Sequence, residues 1–246
     1  MDEARPETTE AEPLATEPPA VPLPNRVAAE LVGTAALVAV VVGSGIQATE
    51  LTKDVGLQLL ANSLATVFGL GVLILLLGPV SGAHFNPVVT LAEWWTDRRL
   101  TPAQVIAYIA AQTTGAIGGA VLADAMFGNP LVHWSTHDRS AGHLLLGEIV
   151  ATAGLVFLIF GLARRDLLRF APVAVASYIG AAYWFTSSTS FANPAVTLGR
   201  AFTDTFAGIA PGSVPGFIGA QLLGGALGLA LVALVFGHRR RTAGSK

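Results

Sequence analysis

The chain contains no cysteine, which removes disulfide frameworks and thiolate metal sites from consideration and leaves the compartment open. Charge is scarce too. Only 12% of the 246 residues are Asp, Glu, Lys or Arg, against about a quarter in soluble domains. The start of the chain lacks the basic segment followed by an apolar run that marks a cleaved secretory signal. No nucleophile–base–acid set and no tight cluster of metal ligands appears in the apolar stretches. Neither an enzyme, a cofactor nor a nucleic-acid partner is therefore expected. His133, His137 and His143 share one joint of the sequence, without the ligand spacing that a metal site needs.

What the chain has instead is apolar length. Hydrophobic residues make up 52% of it, and mean hydropathy is +0.61. A membrane crossing takes about 20 apolar residues, and the spacing of the charges predicts six. They run from Val27 to Gln47, Gly56 to Leu77, Pro102 to Phe127, His143 to Ala163, Ala171 to Ser190 and Val214 to Gly237. Residues 1–25 form an acidic, Pro-rich tail whose composition predicts disorder. Residues 26–237 form one membrane domain with halves at about 26–127 and 143–237, and 238–246 form a basic tail. Of the 14 Lys and Arg, only Lys53, Arg139 and Arg200 fall in joints on one side. The remainder place both termini in the cytoplasm of a multi-pass protein of the cell membrane. Lipid supplies no hydrophobic drive between helices, so packing relies on small residues. Gly115, Gly118 and Gly119, and Gly224, Gly225 and Gly228, provide candidate faces.

The two halves repeat one another. Ala29-Glu30-Leu31-Val32-Gly33-Thr34 corresponds to Gly147-Glu148-Ile149-Val150-Ala151-Thr152. Asn86-Pro87-Val88-Val89-Thr90-Leu91 recurs as Asn193-Pro194-Ala195-Val196-Thr197-Leu198. Ile109-Ala110-Ala111-Gln112 answers Ile218-Gly219-Ala220-Gln221. Each half holds three spans, an odd number, so the second must enter the bilayer from the opposite side. Such inverted repeats place their functional site near the midplane, where broken helices meet. The segments Ser81 to Trp95 and Phe191 to Phe202 are too short to cross, and each contains Asn followed by Pro, a helix-start pair. They suit two re-entrant half-helices that dip in from opposite faces.

Two helix starts facing each other concentrate partial positive charge and unpaired backbone N–H groups. Asn86 and Asn193 can each offer an amide N–H to a solute between them. A passing water would accept from both, which turns its hydrogens outward and interrupts a proton wire, while cations meet a positive field. Glu30 and Glu148 stand in apolar spans, where an ionised carboxylate costs at least ~2.5 kcal/mol. They suit acceptors for the irregular backbone leading into each half-helix. A proton relay in an ion-coupled transporter is the rival reading. Gln112 and Gln221 suit polar partners inside the bundle, and His84 a hydrogen-bonding residue of the pore wall.

The motifs SGAHFNPVVT (Ser81 to Thr90) and SFANPAVT (Ser190 to Thr197) resemble the two signatures of the major intrinsic proteins, or aquaporins. The resemblance runs from Arg26 to about Gly237. It implies an all-α fold of six transmembrane helices and two half-helices, assembled as a homotetramer with one pore per subunit. It also implies passive transport of water and small neutral solutes such as glycerol, urea, ammonia or arsenous acid. NPAVTLGRAFTDTFAGIAP (Asn193 to Pro211) is similar to a bacterial branch associated with arsenic resistance. Two departures stand out. Val88 replaces the usual Ala beside the constriction and adds two methyl groups there. Val196 stands where water- and glycerol-conducting members commonly carry Arg. Counting without gaps from the motifs, the resemblance implies a selectivity filter of Thr66 (or Phe68), Ala181, Ser190 and Val196. That ring has neither aromatic wall nor guanidinium, which predicts a wide pore. Arg200, one helical turn beyond Val196, is a candidate charge at the outer mouth.

Overall fold

The computed structural model describes residues 21–97 and 100–237. The stretch up to residue 20, Arg98, Arg99 and the stretch from 238 onwards lie outside the described residues, and with them most of both expected tails. Helix α1 covers Leu23–Leu51. Pro22 precedes it and Pro24 falls in its first turn, where a missing N–H costs nothing. Helix α1 therefore opens three residues before Arg26. Helix α2 covers Val55–Ser81 and is capped by Asp54, whose carboxylate accepts from the Leu57 N–H at 3.0 Å.

The first short helix, α3, covers Pro87–Asp97. Helix α4, Pro102–Met126, opens on a reciprocal pair of bonds between Thr101 and Gln104, which satisfies two orphan donors of the first turn. Helix α5 covers Gly142–Arg164, and α6 covers Ala171–Phe185 after a 3-10 turn at Leu168–Phe170. The second short helix, α7, covers Pro194–Gly199 and runs into a 3-10 turn at Arg200–Phe202. Helix α8 covers Val214–Phe236.

Both short helices start at the Pro of their motif, later than the sequence suggests, because the residues before each Asn do not coil. α6 is the shortest of the six longer helices, with 15 residues. It stops at Phe185, and residues 186–193 are non-helical, so the expected span to Ser190 is corrected. The other five are long and apolar enough to cross a membrane.

The inverted repeat appears in the packing. α1 lies against α4 as α5 lies against α8. Gly115 and Gly119 of α4 press on the carbonyls of Leu31 and Ala35, while Gly224 and Gly228 of α8 press on those of Ile149 and Ala153. Each carbonyl pair starts at the residue after a paired glutamate. A side chain at any of these glycines would strike backbone, which cannot yield, so small residues set the helix separation. Gly118 borders open space instead, so it is not part of this face. α2 packs on α6, and the half-helices fill the space that the longer helices leave.

Candidate functional site

The approach to each half-helix is strained in the same way. Ala83 and Phe85 have φ of 49°, and their repeat mates Ser190 and Ala192 have 52° and 49°. Left-handed backbone is costly for residues with a side chain, and it persists only where the surroundings enforce it. A buried carboxylate does so here. Glu30 accepts from the His84 N–H at 3.0 Å, the Phe85 N–H at 2.7 Å, Ser81 Oγ at 2.6 Å and Gln112 Nε2 at 2.8 Å. Glu148 accepts from the Phe191 N–H at 2.9 Å, the Ala192 N–H at 2.8 Å and Gln221 Nε2 at 2.6 Å. Each Gln spends its second amide hydrogen on the half-helix itself, at Thr90 Oγ1 (2.9 Å) or Thr197 Oγ1 (2.8 Å). Four donors from the chain on Glu30 and three on Glu148 thus occupy most of the acceptor sites that a proton relay would need free.

The two Asn side chains do more than cap. Asn86 Oδ1 accepts from the Val88 N–H at 2.9 Å, and Asn193 Oδ1 from those of Ala195 and Val196 at 3.0 and 3.3 Å. Their amide nitrogens then cross between the halves, Asn86 Nδ2 to the Ala192 carbonyl and Asn193 Nδ2 to the Phe85 carbonyl, both at 2.7 Å. A carboxamide has two N–H groups, so one on each Asn remains uncommitted. Both Asn line a cavity of about 360 Å³ that runs from Glu93, Asp97 and Asp166 at one mouth to Tyr183, Ser190 and Arg200 at the other. Between them the wall is apolar, with Leu37, Val41, Leu70, Leu155 and Val175.

Known proteins resemble this chain in sequence and in fold. The Major intrinsic protein family profile covers residues 20–190 of this chain. The aquaglyceroporin AqpS of Rhizobium meliloti is 50% identical over 212 residues, or 85% of this chain and 89% of that one. This chain belongs to the major intrinsic protein family. It is a membrane channel for water and small solutes, not an enzyme. Aquaporin NIP1-1 of Oryza sativa is 35% identical over 74% of this chain and 65% of its own. Aquaporin-4 of Bos taurus is 32% identical over 72% and 58%. The X-ray structure of the aquaglyceroporin from Plasmodium falciparum shares the fold, with a TM-score of 0.60 over 88% of this chain and 96% of that one at 20% identity.

Within this major intrinsic protein, several positions differ from the sequence expectation. Ala181 is exposed on the outer side of α6, while Ile179 and Tyr183 line the cavity. Two residues along a helix turn it by about 200°, so a two-residue error in register exchanges inside for outside. The same rotation separates Thr66, buried and lining the cavity, from Phe68, which is 70% exposed. Thr66 Oγ1 donates to the Asn62 carbonyl at 2.9 Å and pairs with the Tyr183 hydroxyl at 3.2 Å, so Tyr183 is the donor of that pair. The wall consequently contains an aromatic hydroxyl that the gapless count missed. Ser190 and Val196 line the cavity, and Val89 is the repeat mate of Val196 on the same wall. Ser190 Oγ is buried with no partner among the described residues.

Val88 turns away from the cavity. It packs with Val156, Phe160 and Val232, and a side chain at Gly225 would collide with it. Its methyl groups fill a helix junction rather than the constriction. Pro87, Pro194 and Ala195 are buried behind the Asn pair as helix starts. Arg200 is 4% exposed and lines the cavity. Its guanidinium lies over the Phe191 ring, 3.3 Å from the centroid, and its Nε donates to the Ala207 carbonyl. The wall thus has the guanidinium and the aromatic ring that position 196 and Ala181 do not supply.

At the opposite mouth His84 lines the cavity. Its Nε2 lies 2.6 Å from a Glu93 carboxylate oxygen and its Nδ1 3.0 Å from Thr90 Oγ1. His133 and His137 border a separate cavity with Glu50, Asp124 and Asp204, and His143 accepts from Ser187 Oγ through its carbonyl. No three metal-ligating side chains converge among the described residues. Sequence reasoning missed Ile179, Tyr183 and Phe191. Ile179 and Tyr183 are four residues apart on α6, a helix-face signal available in the sequence, whereas nothing local marks Phe191.

Proposed function

We propose that this channel passively conducts water and small neutral polyhydroxylated solutes, with glycerol and arsenous acid as the leading candidates. It rejects ions where the half-helix starts meet. The observation that carries this reading is the uncommitted N–H on each of Asn86 and Asn193 at the cavity wall. A solute hydroxyl accepts from both amides and gives up little hydration, whereas a cation finds only donors and two positive helix ends. The filter is Thr66, Tyr183, Ser190 and Val196, with Arg200 beyond it and Ile179 beside it. One side of that ring is apolar and the other bears hydroxyls and a guanidinium. Such a ring suits a molecule with a carbon edge and a hydroxyl edge better than it suits water alone. Glycerol is also in keeping with the aquaglyceroporin name of the relative AqpS. Arsenous acid is neutral at physiological pH and has three hydroxyls, so the same groups would escort it. Glu30, Glu148, Gln112 and Gln221 support the half-helices, and His84 forms part of the opposite pore wall.

The protein would reside in the cell membrane with both termini cytoplasmic, as the distribution of Lys and Arg supports, so that Arg200 marks the outer mouth. The family resemblance supports a homotetramer. Stopped-flow flux into proteoliposomes, compared for water, glycerol and arsenous acid at neutral pH, tests the reading. Glycerol or arsenous acid influx that rises linearly with the gradient is expected. Fast water flux with both solutes excluded would overturn the substrate class, and saturable flux driven by a proton gradient would overturn the channel mechanism.

A further inference from the structure

The loop between α4 and α5 sets a second guanidinium behind the cavity wall, next to the Phe191 and Arg200 that line it. Arg139 lies with its guanidinium 5.0 Å from the centroid of the Phe191 ring, the same ring that Arg200 covers at 3.3 Å. The two charges are therefore within about 8 Å of each other, near enough for their fields to add. Each is tied through Nε to one of two consecutive carbonyls, Arg139 to Gly208 at 2.9 Å and Arg200 to Ala207. Neither has a carboxylate at ion-pair distance among the described residues. The loop is held in register by backbone bonds, His133 N–H to the Phe202 carbonyl at 2.9 Å and Ala210 N–H to the His137 carbonyl at 2.8 Å. Asp204 fastens it as well. Its carboxylate accepts from the Thr136 N–H at 2.8 Å, and that backbone bond is the main reason its pKa lies below the ordinary value.

We propose that Arg139 is a specificity-determining residue of this pore. Together with Arg200 it forms a two-guanidinium barrier that rejects cations at the outer mouth, the task a single arginine after Asn-Pro-Ala would otherwise perform. The proposal rests on the channel reading above. Two like charges this close repel, and the fold tolerates them only if other groups compensate. The Phe191 ring attracts both, and the Ala207 and Gly208 carbonyls turn their negative ends toward them. Low-dielectric walls then focus the summed field into the mouth. A neutral solute is indifferent to that field, so the barrier discriminates by charge rather than size. Position 196 can therefore remain valine and leave the ring wider without an ion leak.

The test is a pair of variants of the full chain in proteoliposomes, Arg139→Gln and Arg139→Lys. Proton leak under a potassium diffusion potential is divided by glycerol flux in the same preparation. Arg139→Gln should raise that ratio about tenfold, whereas Arg139→Lys, which loses the Gly208 geometry but keeps the charge, should hold the wild-type ratio. An unchanged ratio in Arg139→Gln overturns the proposal. A rise in Arg139→Lys also overturns it, because loop geometry would then be the cause; if the glutamine form does not fold, Arg139→Met removes the charge in its place, with the same rise expected and an unchanged ratio overturning the proposal. Wild-type protein that passes water but no glycerol sinks the substrate reading only, and the ratio is then taken against water flux.

Discussion

The two half-helices share one scaffold and end in opposite chemistry. Both begin at an Asn-Pro pair, follow a left-handed approach, hang from a buried Glu and are braced by a Gln. Beyond that frame they diverge. α3 continues for 11 residues and brings Glu93 and Asp97 to its mouth. α7 stops after six and tightens into a 3-10 turn that delivers Arg200. The repeated Glu and Gln hold backbone that would otherwise be strained or unpaired, and the repeated Asn both cap a half-helix and line the cavity. The charged groups at the two mouths, Glu93 and Asp97 against Arg200, are opposite in sign, so the halves differ most where the cavity opens. Even the frame is not fully symmetric, because Glu30 receives a bond from Ser81 that Glu148 does not receive from its mate Ser188 among the described residues.

Removing the shared frame should do the greatest damage. Glu30→Ala and Glu148→Ala each leave two buried backbone N–H groups without an acceptor, at about 1–3 kcal/mol apiece. Thermal unfolding in detergent should show the larger loss for Glu30→Ala, and equal losses would mean that the Ser81 bond contributes nothing. Next come the helix contacts. Gly119→Leu and Gly228→Leu should each destabilise by about 1–3 kcal/mol or more through overpacking, while Gly118→Leu should leave the melting temperature unchanged. Losses at all three positions would refute the division of faces.

Functional differences should be smaller in energy. Asn193→Asp replaces the donor aimed at the Phe85 carbonyl with an acceptor, and its cation leak should rise about tenfold, equivalent to 1.4 kcal/mol. Unchanged leakage would remove Asn193 from the ion barrier. Val196→Arg should depress glycerol flux several-fold more than water flux, because it narrows a ring that is now apolar on that side; equal depression would show that position 196 does not set the width. Val88→Ala should have the least effect. It should cost about 1 kcal/mol of stability by leaving a small void and keep the ratio of water to glycerol flux, since Val88 faces α5 and α8.

What the sequence made legible follows the same division. The Asn-Pro pairs, both Glu and both Gln could be read because each occurs twice in matching order, and each repeat checks the other. The filter had no such check. A gapless count back from Asn193 leads to Ala181, but the chain leaves helical geometry after Phe185. The helical phase therefore does not carry across residues 186–193, and Tyr183 rather than Ala181 lines the cavity. The direction of Val88 depends on the roll of α3 about its axis, which neighbouring side chains decide. Arg139 showed in the sequence only as a charge on one side of the membrane, because a loop has no periodicity from which to infer where it lands.

The reciprocal bonds of Asn86 and Asn193 also bear on how the protein is made. Each joins residues more than a hundred positions apart, with separations of 106 and 108. The Glu30 carboxylate can organise the first re-entrant loop as soon as the first half has been inserted. The Phe85 carbonyl and the Asn86 amide still wait for residues that the ribosome has not yet supplied. Chains are generally assembled from the N-terminal end, so the junction forms late in biogenesis, when the second half docks from the other side of the bilayer. A partly synthesised chain therefore contains a seat for the pore but no pore, and the membrane is not exposed to a half-built hole.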